Sequence, residues 1–276
     1  MKLIDAYRET IRLFRDKIPN FQLEALLILS LVLDKPKEYI LAHQESELSE
    51  AEVEKIRELI DKRLSGIPYA YLKKEKEFFG IRFSVEEGVL IPRPETETLV
   101  EIVLKMGPFT KGLDLFCGSG IIGLTILYSN GCKEFTGIDI SQKCIDVSIA
   151  NASRLGLINR TRFIMADIRS LSLEEDFDLI VANPPYIPDD RWNELDREVR
   201  SEPREALLGG KEGLDFYPEI AKVISKNLVR EGVFAVEIGG KDQVDKIRQI
   251  FKDYNIINVN VENDLNGIPR VIWGRI

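Results

Sequence analysis

Apolar positions along the chain follow two rhythms, and the change between them falls near residue 90. Up to residue 70 they recur at helical spacing. Residues 21–29 form an apolar run that Asn20 can cap, and Pro36 suits the first turn of a short helix reaching Ala42. Ser49 and Glu52 make a capping-box pair ahead of Val53, Ile56, Ile60 and Leu64, one stripe of a helix that Gly66 can end. These segments predict a helical bundle over residues 1–70. Residues 71–83 then alternate and predict a β-hairpin turning near Phe78-Phe79-Gly80-Ile81, with residues 71–92 serving as a linker. Pro92 and Pro94 fix an extended backbone, and Glu95 and Glu97 suit the start of a helix continuing to Met106.

From Lys111 the pattern becomes strand and helix in turn. It predicts strands at 112–116, 134–140, 161–166, 177–182, 232–237, 256–262 and 269–275, and helices at 121–129, 142–155, 215–228 and 241–252. Such alternation predicts an α/β domain over residues 93–276, with a mostly parallel, doubly wound sheet and an antiparallel hairpin at one edge.

One stretch breaks the rhythm. The apolar run 177–182 ends in Asn183-Pro184-Pro185-Tyr186, and two prolines forbid both continued pairing and immediate helix. Open α/β sheets bind ligands at the carboxyl ends of their strands, which puts a rigid polar turn where chemistry is expected. A second such turn, Asp114-Leu115-Phe116-Cys117-Gly118-Ser119-Gly120, joins the first strand to its helix; with Gly123 it matches G-x-G-x-x-G, a weak signal by itself. Asp139 closes the next strand, where a carboxylate accepts both hydroxyls of a ribose, so the pair points to an adenosine-containing cofactor. Asp114, beside the glycines, repels a pyrophosphate and suits the ammonium and sulfonium of S-adenosylmethionine. With that cofactor Asn183 and Pro184 acquire a role: the Asn183 side-chain oxygen and the Pro184 carbonyl accept both N–H bonds of a planar amine, aiming its lone pair at a methyl group, while Tyr186 packs on the planar group. Arg93 and Glu95, framed by prolines, are candidates on the substrate side.

Composition narrows the picture. Of 276 residues, 44% are hydrophobic and 30% charged, as in an ordinary soluble protein, and no apolar run approaches the roughly 20 residues of a membrane helix. No export signal is visible at the N-terminus. Cys117, Cys132 and Cys144 have neither metal-site spacing nor an even count, which fits a reducing cytoplasm. The single histidine, His43, lies in the helical region, so a histidine base and a metal site are not expected in the α/β domain. A net charge of −8 argues against a broad nucleic-acid footprint.

Beyond the two turns, the chain carries Gly66-Ile67-Pro68-Tyr69, Arg93-Pro94-Glu95-Thr96-Glu97, Asp139-Ile140-Ser141, Glu202-Pro203-Arg204-Glu205-Ala206-Leu207 and Glu237-Ile238-Gly239. On these residues it resembles, over nearly its whole length, the HemK family of protein-(glutamine-N5) methyltransferases. The resemblance implies a class I S-adenosylmethionine-dependent methyltransferase fold, Rossmann-like, behind a helical domain that recognises substrate. It implies that Phe116, Cys117, Gly118, Ser119, Gly120, Asp139, Ile140 and Asn183 hold S-adenosylmethionine, that Asp167 and Ile168 flank the adenine, and that Asn183, Pro184, Pro185 and Tyr186 hold the glutamine amide of a Gly-Gly-Gln motif in a peptide-chain release factor. The implied protein is a cytoplasmic monomer with no metal. Two positions depart from the family: Phe116-Cys117 stand where Gly-Thr is usual, and Ile168 where an aromatic often stands. Adenine-N6 methylation of DNA or RNA uses the same turn and is the alternative activity; a non-catalytic adaptor that binds an adenosine cofactor is the alternative class.

Overall fold

The computed structural model describes residues 1–276, which divide into a helical unit, residues 1–73 with 197–201, and an α/β unit, residues 74–196 with 202–276. No helix is long and apolar enough to cross a membrane.

The helical unit contains α1 (Leu3–Phe14), α2 (Phe21–Leu33), α3 (Lys37–Ala42), α4 (Glu50–Leu64) and α5 (Tyr69–Lys73), packed around Leu3, Phe14, Ile28, Leu29, Ile40, Ile56 and Ile60. The capping box forms: Ser49 Oγ accepts from Glu52 N at 3.3 Å and Glu52 Oε2 accepts from Ser49 N at 2.7 Å. Asn20 does not cap. It takes a left-handed backbone (φ 51°) before α2 with no side-chain bond to the helix, a conformation asparagine tolerates better than most residues. The buried face of α4 also carries an unexpected charge, Arg63, 2% exposed and paired with Glu24 at 2.9 Å and with Glu198 of the 197–201 segment at 2.5 Å.

In the α/β unit the hairpin is β1 (Glu75–Phe78) with β2 (Ile81–Ser84), beginning later than expected because residues 69–73 are helical. Phe79 and Gly80 both have positive φ, the backbone of a tight hairpin turn matched to strand twist. Phe78 and Phe83 bury into the same core as Leu99 and Ile122, so the hairpin packs with the α/β unit.

The main sheet has the order β5-β4-β3-β6-β7-β9-β8. Its strands are β3 (Phe109–Leu115), β4 (Cys132–Asp139), β5 (Thr161–Met165), β6 (Phe177–Ala182), β7 (Leu228–Glu237), β8 (Asn260–Asn263) and β9 (Pro269–Arg275). Neighbours are parallel except at β9, which runs against both β7 and β8 and closes the predicted edge hairpin. Strand β3 starts three residues earlier than its apolar pattern suggests, since the Asp178 carboxylate takes the N–H groups of Thr110 and Lys111 at 2.7 and 2.8 Å.

Side chains alternate across the strands, and two cores result. Leu179, Val181, Val233 and Ala235 meet α6 (Glu97–Met106), α7 (Ile121–Tyr128) and α8 (Gln142–Arg154); Leu113, Leu115, Ile180, Ala182, Phe234 and Val236 meet α9 (Tyr217–Asn227) and α10 (Lys241–Asp253). The chain winds from β3 outward to β5 and then returns to β6 on the other side of β3. The crevice of such a sheet opens at that reversal, between the carboxyl ends of β3 and β6.

Candidate active site

Register places the important residues side by side. Leu115 pairs with both Ile138 and Ala182, and Ala182 pairs with Val236. One residue further on, Asp139, Phe116, Asn183 and Glu237 therefore leave four adjacent strands at the same level. The edge formed this way carries a carboxylate at each end and the two special turns between.

The turn after β3 is built from left-handed backbone: Phe116, Gly118 and Gly120 have φ of 68°, 56° and 80°. A left-handed residue with a side chain costs about 1–2 kcal/mol, so the loop keeps its shape here against the preference of Phe116. The Phe116 ring is seated by an edge contact on Phe216, 5.2 Å between centroids, with the Arg169 guanidinium 5.0 Å from the Phe216 ring. A Cβ on Gly118 would meet open space, whereas one on Gly120 would press on Leu124 and on Ser148 Oγ at 3.0 and 3.1 Å. The outer side of the loop is thus free for a ligand and the inner side is packed on helices.

Asp139 fastens this loop. Its two oxygens accept from Gly118 N and Ser141 N, each at 2.9 Å, and each oxygen retains a further lone pair. Burial raises the pKa of Asp139, while those backbone bonds pull it back. Ile140 follows, 58% exposed, an apolar surface beside the carboxylate. Cys117 turns its thiol into the interior toward Ser148, and Ser119 is also buried, with an unpartnered hydroxyl, so both offer the outer side backbone only. Asp167 accepts from Arg169 N at 2.9 Å, and Ile168 is buried in the core beneath α9.

Asp114 lies between Leu113 and Leu115, so alternation directs it to the α7 face beneath the loop, 1% exposed. Its Oδ2 accepts a long bond from Gly123 N, 3.4 Å, and Oδ1 has no partner. Burial pushes its pKa up to about 8, only partly opposed by the Gly123 N–H, and Asp139 adds to the rise. This orphaned oxygen, the spare acceptors of Asp139 and the open space at Gly118 fit a cationic adenosine cofactor. A pyrophosphate would meet two acids and, within 114–120, no basic residue.

The turn after β6 is held differently. Pro184 and Pro185 are buried. Asn183 Nδ2 donates to Thr96 Oγ1 at 3.3 Å, and the Tyr186 hydroxyl donates to Glu237 Oε1 at 3.3 Å. The Tyr186 carbonyl accepts from Gln243 Nε2 at 3.0 Å, and Gln243 Oε1 accepts from Gly239 N at 2.8 Å. A Cβ on Gly209 would sit 2.3 Å from the Pro185 carbonyl oxygen, and one on Gly213 2.0 Å from that of Tyr186, so both glycines are required for this packing. Glu237 is fully buried, with Oε2 unpartnered. Burial raises its pKa to about 7, against the pull of the Thr96 hydroxyl, Arg270 and Tyr186. Burial, reinforced by Glu237, likewise raises the Tyr186 phenol above its usual range.

Arg93 forms an ion pair with Glu202, whose other oxygen accepts from Ile91 N at 2.9 Å. The Arg-Pro-Glu-Thr-Glu and Glu-Pro-Arg-Glu-Ala-Leu segments, distant in sequence, are therefore joined here. Glu95 lines a cavity of about 500 Å³ between α6 and the β8–β9 turn, with Glu101, Glu262, Leu265 and Trp273. Thr96, Glu237, Gln243 and Glu202 were not among the residues expected at the site. Glu237 carried a signal, a charge ending an apolar strand as Asp139 does; Thr96 lay within a quoted motif with nothing to single it out.

A reversed parallel sheet with a cationic-cofactor loop at one strand end and Asn-Pro-Pro-Tyr at the next defines a class I S-adenosylmethionine-dependent methyltransferase. Residues 109–263 match the model of a methyltransferase domain and residues 5–73 that of the PrmC N-terminal domain. The chain is 39% identical over 264 residues to the release factor glutamine methyltransferase of Clostridium botulinum, covering 94% of this chain and 93% of that protein. It is 36% identical to that of Koribacter versatilis, covering 93% and 92%. The chain belongs to the release factor glutamine methyltransferase family. Solved structures share the fold: the hMettl16 catalytic domain has a TM-score of 0.61 at 15% identity, covering 71% of this chain and 76% of that one, and a methyltransferase from Pyrococcus furiosus a TM-score of 0.54 at 16% identity, covering 80% and 96%.

Proposed function

We propose that this enzyme transfers a methyl group from S-adenosylmethionine to the side-chain amide nitrogen, N5, of the glutamine in the Gly-Gly-Gln motif of peptide-chain release factors. The observation that carries this reading is the bond from Asn183 Nδ2 to Thr96, which leaves the acceptor end of the Asn183 amide for substrate. Bound S-adenosylmethionine supplies an electrophilic methyl carbon on a cationic sulfur. Gly118 offers the open approach, Asp139 the ribose acceptors, Ile140 an apolar neighbour, and Asp114 an unpartnered oxygen beneath the loop. Asp167 and Ile168 stand at the adenine side.

An amide nitrogen is a poor nucleophile because its lone pair is delocalised into the carbonyl. Asn183 Oδ1 and the Pro184 carbonyl accept its two N–H groups, which concentrates electron density on nitrogen and directs the lone pair across the crevice from β6 to β3. Tyr186, tethered at its hydroxyl and its carbonyl, packs on the planar amide, and Pro185 holds the turn rigid. As the N–C bond forms the S–C bond breaks, and the nitrogen loses one proton to solvent. Arg93 and Glu95 border the substrate side. In this reading the enzyme is a cytoplasmic monomer that reads protein and not nucleic acid, in keeping with its net charge of −8.

Labelled S-adenosylmethionine, offered with a release factor and with its Gln→Ala variant in the Gly-Gly-Gln loop, tests the assignment. Label is expected on the first alone. Equal labelling of both, or label on nucleic acid instead, overturns it.

A further inference from the structure

A primary amide is almost symmetric in shape, so nothing in the outline of Asn183 decides whether Oδ1 or Nδ2 meets the substrate. The decision is electrical. If Nδ2 faced the substrate amide, donors would oppose donors and the amide would not be held. We infer that Thr96 and Glu237 are positioning residues, and that the buried chain Tyr186–Glu237–Thr96–Asn183 fixes Asn183 with Oδ1 toward the substrate. This rests on the proposed function.

A carboxylate has no proton to give and can only accept. Glu237 accepts from the Tyr186 hydroxyl on Oε1. The Thr96 hydroxyl lies close enough to draw its pKa down, and Oε2 has no partner of its own. Thr96 owns one proton, and in the inferred arrangement it turns toward the neighbouring carboxylate, whose Oε2 stands unpartnered. What remains on Thr96 Oγ1 is an acceptor, which Asn183 Nδ2 fills at 3.3 Å. Thr96 and Glu237 are both 0% exposed, so water does not substitute for either partner. The carboxylate bonds the Tyr186 hydroxyl directly and stands beside Thr96, which bonds the amide. A bare acid buried at a strand end is costly unless paired, and here the Tyr186 hydroxyl fills one oxygen and the Thr96 hydroxyl is the neighbour left for the other.

Ionisation of Glu237 is part of the device. Once protonated, it could donate to Thr96, and the hydroxyl proton of Thr96 could then turn to Asn183 and favour the reversed amide. The groups facing Glu237 are Tyr186 after β6, Thr96 and Glu95 ahead of α6, Arg270 on β9, and Tyr217 on α9, whose hydroxyl donates to the Glu237 backbone carbonyl at 3.0 Å. Of these, Arg270 favours the carboxylate and Glu95 opposes it. Methylation is expected to rise with pH through neutrality in the wild type and to lose that rise in Glu237→Gln.

The test compares Thr96→Val, Thr96→Ser and Glu237→Gln with the wild type and with Asn183→Ala, on a release factor substrate, with cofactor affinity by calorimetry and folding by thermal melts. Thr96→Val keeps the shape and removes the hydroxyl; kcat is expected to fall about 30-fold, within the range for a misplaced catalytic contact. Cofactor Kd should stay within about twofold, because the β3 loop is untouched. Thr96→Ser should recover most of the rate, and Glu237→Gln should fall as Thr96→Val does, with the double variant no worse than the poorer single one. A Thr96→Val enzyme at wild-type rate overturns the inference, and so does one that loses cofactor affinity or melting temperature in proportion to rate. Failure of the wild type to label the release factor would instead overturn the proposed function.

Discussion

The turns after β3 and β6 leave neighbouring strands at one level and are held in shape by opposite means. The β3 loop relies on backbone: three left-handed residues, backbone N–H groups tied to Asp139, and an acid beneath with a free oxygen. The β6 turn relies on side chains: prolines for stiffness, Thr96, Glu237 and Gln243 for orientation, and glycines wherever another atom needs the space. A cofactor recognised by its hydroxyls and its charge needs exposed backbone and carboxylates. A small planar amide needs two acceptors at fixed angles, and only a side chain with a buried support can be held that firmly.

The comparison breaks first at Asn183. Asn183→Ala removes one of two acceptors aimed at the reacting nitrogen, and kcat should fall about 10²- to 10³-fold with cofactor affinity nearly unchanged; steady-state kinetics beside calorimetry read both. Next comes Gly213→Ala, whose added Cβ would lie 2.0 Å from the Tyr186 carbonyl oxygen. Displacing the turn by about an ångström should cost on the order of 10²-fold in rate, again sparing cofactor binding. The reverse pattern belongs to the β3 side: Asp139→Asn should weaken cofactor binding about tenfold, the scale of a lost charged hydrogen bond, with smaller change in turnover at saturation.

The last effect is on stability. Asp114 and Glu237 have pKa values raised in the folded protein, to about 8 and about 7. Between the unfolded carboxyl pKa near 4 and those values the folded state binds more protons than the unfolded one, so stability of the cofactor-free protein should fall as pH rises from about 4 to 8. Denaturant melts at pH 5, 6, 7 and 8 should show that decline, and Asp114→Asn should flatten its upper part. An unchanged slope in that variant would mean that Asp114 titrates in the ordinary carboxyl range and that the loop does not rest on a neutral acid.

Much of this was legible in the order of residues. Period-2 and period-3.6 patterns located the sheet and its helices, because a residue's side of a strand or helix depends on local geometry alone. The two turns announced themselves through glycines and prolines, which change the backbone whatever surrounds them. Local signals failed where the partner was remote. Asn20 has the residue type of a cap and takes a left-handed backbone instead, while Arg63 occupies a core position because Glu24 and Glu198 reach it. At the Phe116-Cys117 departure, Phe116 adopts the left-handed backbone and Cys117 turns inward.

By itself the sequence determined the class of chemistry: Asn183-Pro184-Pro185-Tyr186 at a strand end, an acid before a glycine turn and an acid closing the next strand are local facts with local consequences. Only the tertiary structure decided what stands behind them. Thr96 and Glu237 lie 87 and 54 residues from Asn183 in the chain, and strand register and the packing of the segment before α6 bring them to one buried point. The orientation of an amide depends on which donors and acceptors surround it, and that is a property of the folded arrangement.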